Sequence, residues 1–290
     1  MNAGSITRHA GRDPPLAVAH LTALDAAPPA WFDLAAQAGY QKVGIRILPA
    51  VPGAVCYPLD RAALIVWRRR LADAGVGVHD VEFVPLTPDV DVEALRPTLA
   101  LAAELGAQRL NVSGDDADTA RLAGNFGRLC DLAAEVGLGV DLEFMRFRMV
   151  GSLAHALDIV MRAARPNGRL LIDLLHLFRS GGTPQMLGKV PPAALGSVQL
   201  CDAPRHDPGD AALADEARAG RLFPGEGALP LREYLDALPP GLPMSVEVPT
   251  GTSHPQLAAT ERLRRAATAA RLLLSRQGGR PGVDLDITPP

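Results

Sequence analysis

Short apolar runs alternate along this chain with longer stretches in which apolar residues recur every three or four positions. The short runs are rich in Val, Ile and Leu and predict strands, whereas the longer stretches are rich in Ala and Leu and predict helices. Strands that are separated by helices favour a parallel sheet with helical crossovers. The predicted strands are residues 16–21, 42–48, 76–84, 109–112, 139–144, 170–172, 197–200 and 243–248.

The helical stretches complete a repeating strand–helix order. They are predicted at residues 30–39, 61–74, 92–105, 118–136, 152–164, 184–187, 230–238 and 255–274. Several end at or beside a glycine, a common residue at helix C-termini, as at Gly39, Gly75, Gly106 and Gly137. Eight strand–helix units predict one α/β domain, a closed (β/α)8 TIM barrel, with an open doubly wound sheet as the alternative.

The predicted barrel covers residues 16–275, between an N-terminal extension at 1–15 and a C-terminal tail at 276–290. Its longest irregular stretch, residues 202–227, follows the seventh strand. Loops of this length in a compact domain are commonly lids or binding loops. We therefore expect this insert to lie over a site.

Composition narrows the class of partner. The chain has 290 residues, 48% of them hydrophobic, and a net charge of −3. This balance gives no general attraction to nucleic acid or to an anionic membrane, and no apolar run approaches the length of a membrane span. The three cysteines show no CxxC spacing, so they predict reduced thiols. We expect a cytoplasmic protein that acts on a small molecule.

Four consecutive predicted strands each carry one oxygen-bearing side chain near the C-terminal end. In a (β/α)8 barrel these ends converge on one mouth. Because an unpaired buried charge costs several kcal/mol, four such residues together predict a bound cation. Taken singly, each acid could instead cap a helix or pair with an arginine. Three carboxylates and an amide favour Mn²⁺ or Mg²⁺, with Mn²⁺ first. The four residues are Glu143, Asp173, Gln199 and Glu247.

The same residues stand in short motifs that occur in a fixed order. The motifs are Leu142-Glu143-Phe144, Asp173-x-x-His176, Val198-Gln199-Leu200-Cys201-Asp202, Pro224-Gly225-Glu226-Gly227 and Ser245-Val246-Glu247-Val248-Pro249. With them, residues 16–274 resemble the xylose-isomerase-like TIM-barrel superfamily of sugar phosphate isomerases, epimerases and AP-endonuclease-2-like proteins.

The resemblance implies roles for the four strand-end residues. Glu143, Asp173, Gln199 and Glu247 would hold one divalent metal, and Glu143 and Glu247 would also exchange protons with the substrate. Many relatives have His where this chain has Gln199, so Zn²⁺ or Co²⁺ stays open beside Mn²⁺ and Mg²⁺.

Six further residues are candidates for substrate binding. The resemblance implies this role for His176 and Arg205, although a packed histidine and a solvated arginine are the plainer interpretations. Their predicted positions at the mouth add His20, Arg46 and Glu82. Glu226 joins them from the predicted loop, although an acid between two glycines is often only a turn residue.

The function implied is a sugar isomerase or epimerase that acts on a hydroxy-ketone, such as a ketose, an inosose or a related keto sugar, through an enediolate. A dehydratase of the same superfamily, inosose or 3-dehydroshikimate dehydratase-like, is the first alternative. A metal- or sugar-binding barrel without catalysis is the second. The resemblance also implies a homodimer or homotetramer. Replacing Asp173 by Ala is expected to lower metal content without unfolding the barrel.

Overall fold

Eight parallel strands close into a barrel in chain order, with the last strand hydrogen-bonded to the first. The computed structural model describes residues 15–275. All eight predicted strands are confirmed, and closure of the ring rules out the open sheet. The strands are β1 Leu16–Val18, β2 Lys42–Arg46, β3 Gly77–Leu86, β4 Arg109–Gly114, β5 Gly139–Glu143, β6 Gly168–Asp173, β7 Leu195–Leu200 and β8 Met244–Val246.

Helices pack around the outside of this ring. They are α1 Ala30–Gln37, α2 Arg61–Ala74, α3 Arg96–Leu105, α4 Thr119–Ala134, α5 Leu153–Ala163, α6 Leu174–Arg179, α7 Pro184–Leu187, α8 Leu213–Ala219, α9 Leu231–Ala237 and α10 Ala259–Ser275. The short helices α6 and α8 were not predicted, because one or two turns carry too little amphipathic period to recognise. Of the predicted terminal extension and tail, residues 1–14 and 276–290 lie outside the described residues.

Local sequence explains where the helices begin and end. Asp60 caps α2 by accepting a hydrogen bond from the Ala63 N–H at 2.7 Å. The helix ends at Gly75, whose φ of 67° is the left-handed conformation that glycine adopts without steric cost. None of the helices within residues 15–275 is long and apolar enough to cross a membrane.

The barrel interior below the mouth is unusually polar. Asp141 accepts hydrogen bonds from Arg109 and, at 2.7 Å, from the Ser197 hydroxyl. Asp80 is also buried, and its Oδ1 has no hydrogen-bond partner among the described residues. Gly44 leaves room for Asp80, because a Cβ at position 44 would lie 2.6 Å from that oxygen. The basic side chain nearest to this carboxyl group is His79, whose Nε2 lies 3.8 Å from Asp80 Oδ2 and whose pKa burial lowers to about 4, so it brings no positive charge.

Replacing Asp80 by Asn is expected to remove a pH-dependent contribution to stability. Burial, followed by the charges of Glu82, Glu247 and Asp141, raises the pKa of Asp80 well above its ordinary value. A raised carboxyl pKa means that this stability is fully present below about pH 4 and is lost as pH rises towards the native pKa, by up to about 1.4 kcal/mol per pH unit. Urea unfolding from pH 4 to 9 should show the Asp80→Asn protein gaining on wild type as pH rises.

The matched control for this experiment is the exposed acid Asp89. Asp89→Asn should follow the wild-type pH profile throughout. A constant stability difference between Asp80→Asn and wild type at every pH would contradict a neutral Asp80.

Candidate active site

The mouth of the barrel gathers the four residues that were predicted to bind a metal. Glu143 and Asp173 end β5 and β6, Gln199 lies in β7 opposite Asp173, and Glu247 directly follows β8. All four are buried. The amide nitrogen of Gln199 donates to Oε1 of Glu247 at 3.3 Å. The topology thus brings together side chains that are separated by up to a hundred residues in the chain.

A fifth residue, Arg221, completes this cluster and was missed from the sequence. Its Nη1 donates to Oδ2 of Asp173 at 2.5 Å, and its Nη2 lies 2.8 Å from Oε2 of Glu247. Only 1% of Arg221 is exposed. It lies in the predicted insert after β7, where an arginine is expected to be solvated. Its position three residues before Pro224 of the Pro-Gly-Glu-Gly turn was the one available signal.

His176 lies on the other side of the cluster, in the first turn of α6. Asp173 caps this helix by accepting the His176 N–H at 3.0 Å. The ring Nε2 of His176 lies 3.6 Å from Oε1 of Glu143. Ligand atoms of Glu143, Asp173 and His176 all lie within 4.8 Å of one another, the spacing of a candidate metal site. Burial lowers the pKa of His176 to about 4, so the ring is neutral and has a lone pair to offer.

The three carboxylates of the cluster differ in charge state. Burial, with the charges of Glu247 and Asp173, raises the pKa of Glu143 well above its ordinary value. Burial also raises the pKa of Glu247, to about 7, against the opposing charge of Arg221. For Asp173 burial acts in the same direction, but the charge and hydrogen bond of Arg221, together with His176, outweigh it and hold the pKa below its ordinary value. The site therefore contains one carboxylate that Arg221 keeps ionised and two glutamates whose pKa is raised.

These residues fit a divalent cation. When ionised, the three carboxylates carry three negative charges, of which Arg221 balances one. The remaining charge matches a cation of two positive charges. Gln199 Oε1 is a buried oxygen without a hydrogen-bond partner among the described residues, and it is the kind of ligand that Mg²⁺ and Mn²⁺ accept.

A cavity of about 50 Å³ opens beside the cluster. Three of the predicted substrate-binding residues line it, namely Arg46, Glu82 and His176. Arg46 Nη2 donates to Oε2 of Glu82 at 3.0 Å, which fixes both side chains at the wall. Ligand pockets commonly enclose 300–1,000 Å³. The cavity in this structure is therefore smaller than a usual ligand pocket.

The insert that follows β7 forms part of the cavity wall. An antiparallel bridge between Asp202 and Leu222 closes the insert at its base, and α8 places Ala217 and Arg218 at the cavity. Two arginines outside the insert fasten it. Arg146 pairs with Asp207 and Asp210, and Arg179 bonds both oxygens of Glu216, at 2.6 and 2.8 Å. The structure thus places the predicted loop over the site.

His20, another predicted substrate-binding residue, is not among the residues that line the cavity. The backbone N–H of Arg46 donates to His20 Nδ1 at 3.2 Å, so Nε2 carries the proton and donates to the Ala26 carbonyl at 2.9 Å. The ring is also stacked between Trp31 and Tyr57. With both nitrogens bonded, His20 has none left for a substrate. Because β1 ends at Val18, His20 begins a 3-10 helix instead of extending a strand end into the mouth.

Arg205 and Glu226 likewise lie away from the cavity. Both are exposed, and neither is among its lining residues. Glu226 Oε2 lies 3.5 Å from His254 Nε2 and close to the Phe223 N–H, so it acts within its own turn. Their positions agree with the plainer interpretations, a solvated arginine and a turn residue.

A larger cavity of about 430 Å³ lies at the opposite end of the barrel. Its wall is mostly apolar and includes Leu16, Leu238 and Met244. Active sites of (β/α)8 enzymes form at the C-terminal ends of the strands. We therefore place the candidate site at the mouth.

Comparison with known proteins identifies the family of the chain. A family model described as xylose isomerase-like TIM barrel matches residues 32–273. The chain belongs to this family. Within it, the chain is similar to a 3-dehydroshikimate dehydratase of Pseudomonas aeruginosa, with 31% identity over 141 residues, which are 47% of this chain and 22% of that protein. The match thus spans about a fifth of the relative's length.

Solved structures share the fold of this chain. An IOLI protein with a bound zinc atom superposes with a TM-score of 0.75 at 19% identity and covers 90% of this chain and 98% of its own. A D-psicose 3-epimerase in the presence of D-fructose superposes with a TM-score of 0.69 at 15% identity, over 91% of this chain and 100% of its own. Proteins that share this fold thus include an epimerase.

Proposed function

We propose that this protein is a divalent-metal-dependent isomerase or epimerase of a sugar-like hydroxy-ketone, which moves a proton next to a carbonyl group. The observation that carries the proposal is the pair of buried glutamates with raised pKa, Glu143 and Glu247, in one cluster with Asp173 and Gln199. General acid–base groups work best when their pKa lies near the working pH.

Each residue of the cluster has a place in this mechanism. A divalent cation held by Glu143, Asp173, Gln199 and Glu247 would stabilise the charge of an enediolate. Glu247, which lines the cavity, accepts the proton from the substrate carbon. Glu143 returns a proton to the other face, which gives epimerisation, or to the neighbouring carbon, which gives isomerisation. Neutral His176 and the Arg46–Glu82 pair orient the substrate hydroxyls at the cavity wall.

Dehydration of a hydroxy-keto acid is the second candidate. The likeness to a 3-dehydroshikimate dehydratase supports it. So does Arg218, which lines the cavity and forms no ion pair with any described residue. A guanidinium without an anionic partner suits a substrate carboxylate. In that reaction the same base removes the proton, and a β-hydroxyl leaves as water.

The remaining features of the proposal follow from the sequence. We favour Mn²⁺ or Mg²⁺ as the metal, over Zn²⁺ or Co²⁺, because three of the ligands are carboxylates and the fourth is an amide. We further propose a cytoplasmic homodimer or homotetramer whose partner is a small molecule and neither nucleic acid nor membrane.

Proton exchange with solvent tests the proposed function. The purified protein, after elemental analysis, is incubated in D₂O with ketoses, inososes, 3-keto sugars and 3-dehydroshikimate, with MnCl₂ or EDTA. We expect one substrate to take up deuterium next to its carbonyl in a metal-dependent way, as followed by NMR. An epimer or isomer then identifies the first candidate, and an unsaturated product identifies the second. Absence of exchange with every compound would favour a binding protein without catalysis.

A further inference from the structure

Arg221 is buried as deeply as the carboxylates that it contacts. It is 1% exposed, Asp173 is not exposed at all, and Glu247 is 4% exposed. Its two terminal nitrogens each contact a different carboxylate, Nη1 that of Asp173 and Nη2 that of Glu247. These are two of the four residues assigned to the metal. The guanidinium thus joins β6 to the end of β8 across the mouth.

The guanidinium of Arg221 is also hydrogen-bonded to the backbone. Its Nε donates to the Ala217 carbonyl at 2.8 Å, in the last turns of α8. The Arg221 backbone is fixed on both sides, because its N–H donates to the Pro249 carbonyl and its carbonyl accepts from the Ser253 hydroxyl at 2.6 Å. The position of Arg221 is therefore set by the insert and by the segment after β8, and the two carboxylates are aligned on it.

Charge explains why such a group is needed. Glu143, Asp173 and Glu247 are buried close together, since Asp173 and Glu247 share one guanidinium and Glu143 lies beside Asp173. An unpaired buried charge costs several kcal/mol. Without Arg221, the folded mouth would depend on proton uptake or on a divalent cation. No other basic side chain bonds Asp173 or Glu247 within residues 15–275.

We propose that Arg221 is a built-in counter-ion of the active site, a positioning residue that holds Asp173 and Glu247 in place and allows the mouth to fold without a divalent cation. This inference rests on the proposed function for the metal-binding role of the two acids. A consequence is that wild-type protein stays folded when metal is removed. A second consequence is that Arg221, which belongs to the insert, links the insert to the two metal ligands Asp173 and Glu247.

Thermal unfolding of the full chain in EDTA and in MnCl₂ tests this proposal. Arg221→Met keeps the length of the side chain and removes its charge, Arg221→Lys keeps the charge and loses the two-pronged geometry, and Arg205→Met is the control. Arg205 is exposed in the same insert and forms no ion pair among the described residues. We expect wild type and Arg205→Met to have similar midpoints in EDTA. In EDTA, Arg221→Met should fall by on the order of 10 °C, and Arg221→Lys should lie between.

Added Mn²⁺ separates a counter-ion from a residue that merely fills space. A cation should raise the midpoint of Arg221→Met more than that of wild type, because it replaces the missing charge. Equal midpoints for Arg221→Met and wild type in EDTA, or equal midpoints for the Lys and Met variants, would overturn the proposal. If Arg221→Met folds only with Mn²⁺, the proposal is supported in its strongest form. If it folds in neither condition, Arg221→Lys decides, since retained charge must then give a folded protein.

Failure of the proposed function would give a different result from failure of the counter-ion proposal. A protein whose midpoint does not respond to Mn²⁺ in any variant, but which loses stability in Arg221→Met and recovers part of it in Arg221→Lys, supports the counter-ion role. The same result counts against the metal. The stability measurement needs no substrate, so an incorrect substrate class cannot imitate either outcome.

Discussion

Replacing either glutamate of the mouth by glutamine is expected to lower turnover by about 10²–10⁴-fold, with much smaller effects on metal content. Glutamine retains an oxygen for a cation and has nearly the same shape, but it cannot accept a proton. Glu143 and Glu247 are both buried and both have a raised pKa, which is the property that the variants remove. Steady-state kinetics and elemental analysis of Glu143→Gln and Glu247→Gln would measure the two effects separately.

The two variants should also differ from each other. Each variant retains one of the two glutamates. In an epimerisation with two bases, each should therefore still exchange the proton of a single epimer with solvent, and the epimer should differ between the variants. Glu233→Gln, an exposed substitution on α9, serves as the control and should match wild type. Near-normal turnover in both mouth variants with full metal content would contradict the two-glutamate mechanism and direct attention to His176.

The barrel could be predicted from the sequence because each strand is short, apolar and followed by a helix of recognisable period. The convergence of strand ends then placed Glu143, Asp173, Gln199 and Glu247 together without any knowledge of side-chain contacts. Their positions depend on topology alone, and the closed ring provides that topology.

The positions of Arg221 and His20 could not be predicted from the convergence of strand ends. Arg221 enters the site from an insert whose path has no period, so its burial depends on tertiary contacts at Ala217 and Pro249. His20 was predicted at a strand end, but β1 stops early and the ring nitrogens are used by the backbone. Both residues lie outside the strands, in segments where the direction of a side chain is set by contacts distant in sequence.

Asp173 also has a role that its strand-end position does not reveal, and this changes the expected effect of removing it. The sequence predicted that Asp173→Ala lowers metal content and leaves the barrel folded. In the structure, Asp173 is the partner of a buried arginine and the N-cap of α6. Removing one partner of a buried ion pair costs about 3–5 kcal/mol, and losing a cap adds about 0.5–2 kcal/mol. We therefore expect Asp173→Ala to be severely destabilised in EDTA.

Asp173→Asn separates the loss of the ion pair from the loss of the helix cap. Its amide oxygen can still accept the His176 N–H, while the charge is gone. Urea unfolding in EDTA should place it between wild type and Asp173→Ala. The double variant Asp173→Ala/Arg221→Met should be more stable than the sum of its two single effects predicts, because the second change removes the charge that the first leaves unpaired. Additive effects in this cycle, or an Asp173→Ala protein as stable as wild type, would show that the ion pair contributes little. In that case, loss of metal would be the main consequence of the substitution, as the sequence alone predicts.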